Sequence, residues 1–304
     1  MGAMEATAVL DHPEAAEIPA VRLESLTKSY GGLTAVDDLT LEVPEGSVFG
    51  LIGPNGAGKT TTLAIMASIL LPTSGVVEVA GYDPSLFPRE VRRRIGFMPD
   101  VMGVVGDLRV DEYLEFFAAA YEVPADSRKT VSDTLLELVD LDRKRDAMVD
   151  SLSRGMKQRL SLARALVHDP DILILDEPAS GLDPRARIEL RGLLQELQKI
   201  GKTIVISSHI LAELEDVCSD VAIMEAGRLM TSGSTASIRN QLPTERVVKV
   251  RLATGEEHEF VVESEDEQVE LLRQLVGEGL PVVEYSVGRV LEDVFMQVTK
   301  GKVQ

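Results

Sequence analysis

The sequence predicts an α/β protein. We expect a mainly parallel central sheet, an antiparallel β subdomain, an inserted helical subdomain and a small α+β section at the C-terminal end. Short β-branched apolar runs alternate with longer helical patterns between residues 21 and 240, as in strands that are buried on both faces. Residues 101–165 have helical spacing without a strand-like run, and the pattern changes again at about residue 241. These observations predict a flexible leader at 1–20, a main domain at 21–240 and an accessory domain at 241–304.

The first half of the main domain contains the predicted strands of two sheets. Antiparallel strands are expected in residues 21–48 and 76–80, with turns at Gly31-Gly32 and Glu45-Gly46. Buried strands of the central sheet are expected at residues 48–52, 172–175 and 203–206.

Helical patterns dominate the inserted region and part of the C-terminal section. Residues 110–121 and 131–139 have helical spacing, with Leu135, Leu138 and Val139 on one face. Beyond residue 241 we expect a hairpin of 246–252 with 258–262, a helix at 267–276, a strand at 282–287 and a closing helix at 291–298.

Composition excludes several classes of protein. Of 304 residues, 44% are hydrophobic and 27% are charged, as in a soluble globular protein. Asp and Glu number 50 against 31 Lys and Arg, so the net charge is −19, which argues against binding to nucleic acid or to an anionic lipid surface. The single cysteine, Cys218, excludes an internal disulfide framework. No run approaches the roughly 18 apolar residues of a membrane span, so we expect a cytoplasmic protein.

A glycine-rich loop follows the predicted strand at 48–52. Residues 53–61, GPNGAGKTT, match the pattern G-x-x-x-x-G-K-S/T. In this pattern the glycines let backbone N–H groups surround phosphate, Lys59 reaches the β- and γ-phosphates, and the Thr60 hydroxyl binds Mg²⁺. A helix continuing through Leu63, Met66 and Leu70 would point its N-terminus at the anion. The alternative is a glycine turn that precedes a lysine by chance. The residues expected to bind the nucleoside triphosphate are Gly53, Asn55, Gly56, Gly58, Lys59, Thr60 and Thr61.

Acidic residues end the buried strand at 172–175. Asp176 would hold Mg²⁺ through water, and Glu177 would polarise the attacking water. His209 ends the next buried strand and falls at the same sheet edge, where it would contact the γ-phosphate or that water. The simpler alternatives are carboxylates that merely terminate a strand and a histidine with ordinary polar partners. Downstream, Asp183 and Pro184 predict the N-cap and first turn of a helix, with an apolar stripe of Leu190, Leu193, Leu194 and Leu197.

Residues 152–160, LSRGMKQRL, complete an ordered set of motifs. Together with those above they resemble the motifs of the ATP-binding cassette (ABC) ATPases over roughly residues 21–240. Tyr30 resembles the aromatic residue that stacks on adenine; then come the phosphate loop, the signature at 152–156, the acidic strand, the turn at 180–183 and His209. On physical grounds alone, Ser153 is a good N-cap and Gly155 leaves the helix N-terminus open to phosphate. An ordinary capped helix is the alternative.

The resemblance implies a P-loop NTPase, RecA-like core that binds ATP and Mg²⁺. It also implies that two such domains dimerise head to tail, so that Ser153 and Gly155 of one copy face ATP held by the other. Asp183 counts among the nucleotide-binding residues on the same basis. We expect a homodimer, and a heterodimer is left open.

The sequence departs from the family pattern in two places. One is the signature, at Arg154 and Met156, and the other is Asp100. The usual signature has glycine and glutamine at the positions of Arg154 and Met156, and Arg154 adds positive charge near the expected γ-phosphate site. Members of the family commonly have glutamine where this chain has Asp100. A carboxylate still suits Mg²⁺, so Asp100 is expected as a metal ligand. Asp100 is shorter than glutamine and charged, which argues against its taking over the glutamine's role of linking the core to the helical subdomain.

The family resemblance implies the ATP-hydrolysing motor subunit of a transporter whose membrane-spanning subunit is a separate chain. Residues 290–295, VLEDVF, are similar to a closing motif of exporter-type members. The chain would lie on the inner face of the cell membrane, bound through that subunit, whose coupling helix would enter a groove in the helical insert near Asp100. The alternatives are a soluble ABC ATPase acting on DNA or ribosomes, and a P-loop kinase or switch.

Overall fold

A computed structural model describes residues 19–287, apart from residues 102, 104–106, 211–213, 215–216, 242–245 and 263. The predicted leader at 1–20 falls almost entirely outside the described residues. The predicted closing helix at 291–298 and the motif at 290–295 lie outside them as well. The division into residues 1–20, 21–240 and 241–304 stays a prediction.

The described residues form twelve strands and eight α-helices. The strands are β1 (Val21–Tyr30), β2 (Leu33–Val43), β3 (Val48–Ile52), β4 (Ser74–Val79), β5 (Ile95–Met98), β6 (Ile172–Leu175), β7 (Thr203–Ser208), β8 (Asp220–Glu225), β9 (Arg228–Ser234), β10 (Arg246–Leu252), β11 (Glu257–Val262) and β12 (Val282–Val287). The helices are α1 (Lys59–Met66), α2 (Pro88–Arg94), α3 (Val110–Ala120), α4 (Arg128–Leu138), α5 (Arg154–Leu166), α6 (Pro184–Lys199), α7 (Thr235–Gln241) and α8 (Glu265–Gly277).

The central sheet has the order β5-β6-β7-β3-β8-β9. All neighbouring strands from β5 to β8 run parallel, and β9 closes the sheet as an antiparallel edge strand. Every residue of β3, β6 and β7 is buried, because helices and the second sheet cover both faces. The predicted parallel core is therefore confirmed, and the carboxyl ends of β3, β6 and β7 meet at one edge.

The antiparallel sheet has the order β2-β1-β4. Tyr30 pairs with Leu33, so Gly31-Gly32 forms the predicted two-residue hairpin loop. The buried side chains of this sheet, which include Leu23 and Leu39, pack in one cluster with Leu51 of β3 and Leu63 of α1. This packing fixes the loop between β3 and α1 against the second sheet.

Helix α1 is shorter than the apolar spacing predicted. It ends at Met66, and Leu70 lies beyond it, partly buried against the core. The physical reason is Ser68, whose φ of +57° is a left-handed conformation that a right-handed helix cannot continue.

Helices α3 and α4 confirm the helical character of the inserted region. Tyr113 and Leu114 of α3 and Leu136 of α4 are completely buried in the cluster that also includes Leu160 of α5. The predicted apolar face of α4 is partly wrong, because Leu138 is 39% exposed whereas Leu136 is buried. Leu135 and Val139 are buried as expected.

The C-terminal section contains a third sheet, in the order β11-β10-β12. Strands β10 and β11 form the predicted hairpin. Helix α8 begins after Ser264, whose Oγ accepts a hydrogen bond from the Glu267 N–H at 3.1 Å, and its Leu275 packs against Val248 and Val250. In the described part of the chain, no helix combines the length and apolar composition that crossing a bilayer requires.

Replacing Gly96 with alanine should destabilise the protein. A Cβ at this β5 position would lie 2.1 Å from the Ala165 carbonyl oxygen of α5, so strand and helix would have to separate. We expect Gly96→Ala to lower the free energy of unfolding by about 1–3 kcal/mol, measured by urea denaturation. Gly192→Ala is the matched control, because that exposed position of α6 has nothing within 4 Å of the added Cβ and gains helix propensity. Equal effects of the two substitutions would contradict this explanation.

Candidate active site at the carboxyl edge of the central sheet

The phosphate loop connects β3 to α1. Gly58 has a φ of +99°, and a Cβ there would lie 2.4 Å from the Ala35 carbonyl oxygen. Only glycine therefore fits between the loop and the antiparallel sheet. The loop leads directly into α1, whose first turn contains Lys59, Thr60 and Thr61, so free backbone N–H groups and the positive end of the helix dipole face the loop.

Lys59, at the end of the loop, is buried, with 6% of its side chain exposed. Its Nζ donates hydrogen bonds to the Gly53 carbonyl at 2.7 Å and the Pro54 carbonyl at 3.3 Å. It also lies 3.3 Å from Oε1 of Glu177. The loop and the carboxylate at the end of β6 are thus joined through one ammonium group.

Asp176 is held by a residue that the sequence analysis did not single out. Its side chain is 1% exposed, and Ser207 Oγ donates a hydrogen bond of 2.6 Å to Asp176 Oδ1. The same hydroxyl accepts the Glu177 N–H at 2.9 Å. Leu175 of β6 pairs with Ile206 of β7, so the residues that follow them, Asp176 and Ser207, lie side by side. The parallel register of β6 and β7 is therefore the signal that could have identified Ser207.

Glu177 lies between two basic groups. Its Oε2 is 2.8 Å from Nδ1 of His209, and its Oε1 faces Lys59. The backbone of Glu177 has a φ of +48°, a conformation that turns the chain sharply at the end of β6. The structure therefore brings Lys59, Asp176, Glu177 and His209 together, and such a carboxylate can accept a proton or orient water.

The signature and the turn at 180–183 each begin a helix. Ser153 Oγ accepts the Met156 N–H at 3.3 Å and caps α5, and Asp183 Oδ1 accepts the Ala186 N–H at 2.9 Å and caps α6. Both predicted N-caps are confirmed. Helix N-termini of this kind can bind an anion.

Other predicted site residues lie on exposed surface. Tyr30 is about half exposed at the end of β1, with the Lys28 Nζ 5.0 Å from its ring centroid. Asn55, Gly56 and Thr60 are exposed along the phosphate loop, and Asp100 is exposed two residues beyond β5. Their predicted contacts with nucleotide and metal stay predictions.

The fold and the site together define a P-loop nucleoside triphosphatase. A glycine loop between a buried strand and a helix, with a lysine at its end, meets a buried aspartate and a glutamate at the end of another parallel strand of the same sheet.

Comparison with known proteins identifies the family. A family model described as ABC transporter matches residues 36–180. Two relatives are described as Nod factor export ATP-binding protein I. The protein from Paraburkholderia xenovorans is 41% identical over 226 residues, which are 74% of this chain and 73% of that protein. The protein from Ralstonia nicotianae is 38% identical over 221 residues, 73% of this chain and 69% of that protein.

Solved structures agree with the relatives. A structure described as the ATP binding subunit of an ABC transporter has a TM-score of 0.67 and 31% identity, covering 73% of this chain and 92% of that one. An ATP-binding cassette solved as a dimer in a post-hydrolysis state with ADP and Pi has a TM-score of 0.66 and 26% identity. The match covers 71% of this chain and 98% of that one. The chain belongs to the ABC transporter family as an ATP-binding, ATP-hydrolysing subunit, and the predicted fold class is confirmed.

Removing the Ser207 hydroxyl should damage the site. In Ser207→Ala the buried Asp176 carboxylate loses a donor and the Glu177 N–H loses its acceptor. We expect a loss of about 1–3 kcal/mol in the free energy of unfolding, measured by urea denaturation, together with slower ATP hydrolysis.

Ser161→Ala is the matched control for Ser207→Ala. Ser161 is equally buried, but its Oγ has no hydrogen-bond partner among the described residues, so its removal should be neutral or stabilising. Similar losses in the two variants would show that the Ser207 hydrogen bonds do not matter.

Proposed function

We propose that this chain is the motor subunit of an exporter, which hydrolyses ATP and drives outward transport through a separate membrane-spanning subunit. The observation that carries the hydrolytic part is the position of Glu177, with one carboxylate oxygen 3.3 Å from Lys59 and the other 2.8 Å from His209. The export direction is supported by two relatives described as Nod factor export proteins.

The proposed ATP site combines the phosphate loop of one copy with the N-termini of α5 and α6 of a second copy. In one copy, Tyr30 stacks on adenine and the loop binds the phosphates; in a second copy, the start of α5 and Asp183 complete the site. The residues with these roles are Tyr30, Gly53, Asn55, Gly56, Gly58, Lys59, Thr60 and Thr61 of the first copy and Ser153, Gly155 and Asp183 of the second. ATP then lies between the copies and stabilises the dimer, as the dimeric cassette with ADP and Pi supports.

Glu177 and His209 are the proposed catalytic residues. When ATP is bound, Lys59 turns to the β- and γ-phosphates, which frees the Glu177 carboxylate to accept a hydrogen bond from the attacking water. His209 holds that carboxylate through its Nδ1 and presents its other ring nitrogen towards the γ-phosphate.

The donor set at the edge of the sheet fits Mg²⁺. The Asp176 carboxylate and the Thr60 hydroxyl offer the hard oxygen ligands that this ion prefers. The described residues contain no group of three or more His, Cys, Asp and Glu side chains arranged for a metal ion; Mg²⁺ in nucleotide sites needs fewer, because phosphates supply other ligands. When bound, the ion neutralises charge on the β- and γ-phosphates. Asp100 is proposed as a further ligand.

An apolar cleft is the proposed docking surface for the membrane subunit. It encloses about 220 Å³ and its lining includes Ile69, Phe117, Tyr121 and Arg164. Ile69 is 63% exposed. The Arg164 guanidinium lies 5.4 Å from the Phe117 ring and donates to the Phe97 carbonyl at 3.1 Å. A partner segment that presents apolar side chains, with an acceptor for arginine, would be complementary to this cleft.

Tyr121 is held in the wall of the cleft by a stacked histidine. Its ring is stacked on the His168 imidazole with centroids 3.8 Å apart, and the His168 Nε2 lies 2.9 Å from the Ile95 carbonyl oxygen. Burial lowers the pKa of His168 below its usual value, so the imidazole is neutral at pH 7. Docking here would place the chain on the cytoplasmic face of the membrane through its partner, with residues 241–304 as an accessory domain.

Glu177→Gln should trap an ATP-bound dimer. The amide keeps the size of the side chain but accepts protons poorly, so we expect ATP hydrolysis to fall by roughly a hundredfold or more. ATP-dependent dimers should accumulate, and light scattering after gel filtration measures them. Lys59→Ala is the control, because it removes the phosphate-binding ammonium and should stay monomeric with ATP. An ATP-loaded Glu177→Gln chain that is strictly monomeric would refute the dimer proposal.

Ile69→Glu should abolish association with the membrane subunit. A carboxylate at the mouth of the cleft opposes burial of an apolar partner segment, while ATP hydrolysis by the isolated chain should stay unchanged. The measurement is affinity purification from detergent-solubilised membranes, with identification of a copurifying protein that spans the membrane.

Ile200→Glu is the matched control for Ile69→Glu. Ile200, at the end of α6, is 71% exposed and lies away from the cleft. Equal loss of the partner in both variants would count against the cleft. Tight copurification of DNA or ribosomes without a membrane protein would favour the alternative of a non-transport ABC ATPase.

A further inference from the structure

We propose that Arg154 is a positioning residue that braces the loop at 177–183 against the N-terminus of α5 within one chain. This inference rests on the proposed function, in which Glu177 at the start of the loop orients the attacking water. Arg154 is the first residue of α5 and occupies the signature position at which the family usually has glycine. Its side chain therefore gives this chain a contact that the usual signature lacks.

Two side chains from the first turns of α5 reach the loop. The Arg154 Nη2 donates to the Ser180 Oγ at 3.3 Å. One turn later, the buried Gln158 donates its amide to the Glu177 carbonyl at 3.4 Å. The loop itself is a turn in which the Ser180 N–H bonds to the Glu177 carbonyl at 3.0 Å and the Leu182 N–H bonds to the Ala179 carbonyl at 3.2 Å. The helix thus holds the loop at its beginning and at its middle.

The closest packing is between Arg154 and Gly181. Gly181 has a φ of +69°, and a Cβ there would lie 2.6 Å from the guanidinium carbon of Arg154. The guanidinium therefore occupies the space that a side chain would fill if position 181 were any residue other than glycine. A planar group suits this position because it can cover a glycine and donate to a neighbouring hydroxyl at once.

A different role for Arg154 would be direct contact with a phosphate of ATP on the second copy. The two roles differ in what a lysine can do, because lysine keeps the charge but lacks the planar fork. They also differ in kinetics, since a phosphate ligand affects ATP binding, whereas a brace behind Glu177 affects the chemical step.

Hydrogen–deuterium exchange of the nucleotide-free chain tests the brace without reference to activity. We expect the amides of residues 177–183 to exchange about three- to tenfold faster in Arg154→Ala and Arg154→Lys than in the native chain, because the loop opens more often. Arg185→Ala is the matched control. Arg185 is an exposed arginine near the same loop that pairs with Glu189 at 3.0 Å, so its removal should leave this exchange unchanged. Unchanged exchange in Arg154→Ala would overturn the proposal.

ATPase kinetics of the same variants separate the two roles. For the brace, kcat falls about three- to tenfold in both Arg154 variants while the KM for ATP stays unchanged. A raised KM with native kcat, restored by Arg154→Lys, would identify a phosphate ligand and overturn the brace. If Glu177→Gln hydrolysed ATP like the native chain while exchange still rose in Arg154→Ala, the proposed role of Glu177 would fail and the brace would stand.

Discussion

The parallel register of β6 and β7 is the constraint on which the site depends. Leu175 pairs with Ile206, so Asp176 and Ser207 are the next residues along two neighbouring strands. A carboxylate that is almost completely buried is tolerated only where a donor faces it, and the Ser207 hydroxyl supplies one at 2.6 Å. A slip of one residue would place an apolar side chain or a differently oriented hydroxyl beside Asp176 and leave its charge without that hydrogen bond.

Strand β3 brings the phosphate loop to the same edge. Ile52 pairs with Ser208 of β7, and the Gly53 N–H donates to the Ser208 carbonyl at 3.3 Å. The loop therefore begins level with the end of β7, and Lys59, at the first turn of α1, reaches Glu177. Three segments that are far apart in the sequence converge because their strands are parallel and end together, which is the usual place of a ligand site in such sheets.

Sequence reasoning predicted most of this fold, because buried parallel strands appear as continuous apolar runs and the phosphate loop has a recognisable pattern. It predicted the neighbourhood of Glu177 and His209 from their places at strand ends. It missed the role of Ser207, since a serine at the end of a strand is distinguished only by the register of its neighbour. It extended α1 to Leu70, because apolar spacing carries no information on the φ of Ser68 that ends the helix.

Arg154 illustrates a further limit of sequence reasoning and a consequence of the fold. Its charge suggested a phosphate nearby, whereas its guanidinium lies against Gly181 and Ser180 of its own chain. In the proposed head-to-tail dimer, the start of α5 would meet ATP bound by the other copy, while the loop behind Glu177 would serve ATP bound by its own copy. A helix that binds one nucleotide and braces the loop of the other site belongs to both sites. Under these two proposals together, α5 would connect each Glu177 with the nucleotide of the opposite site.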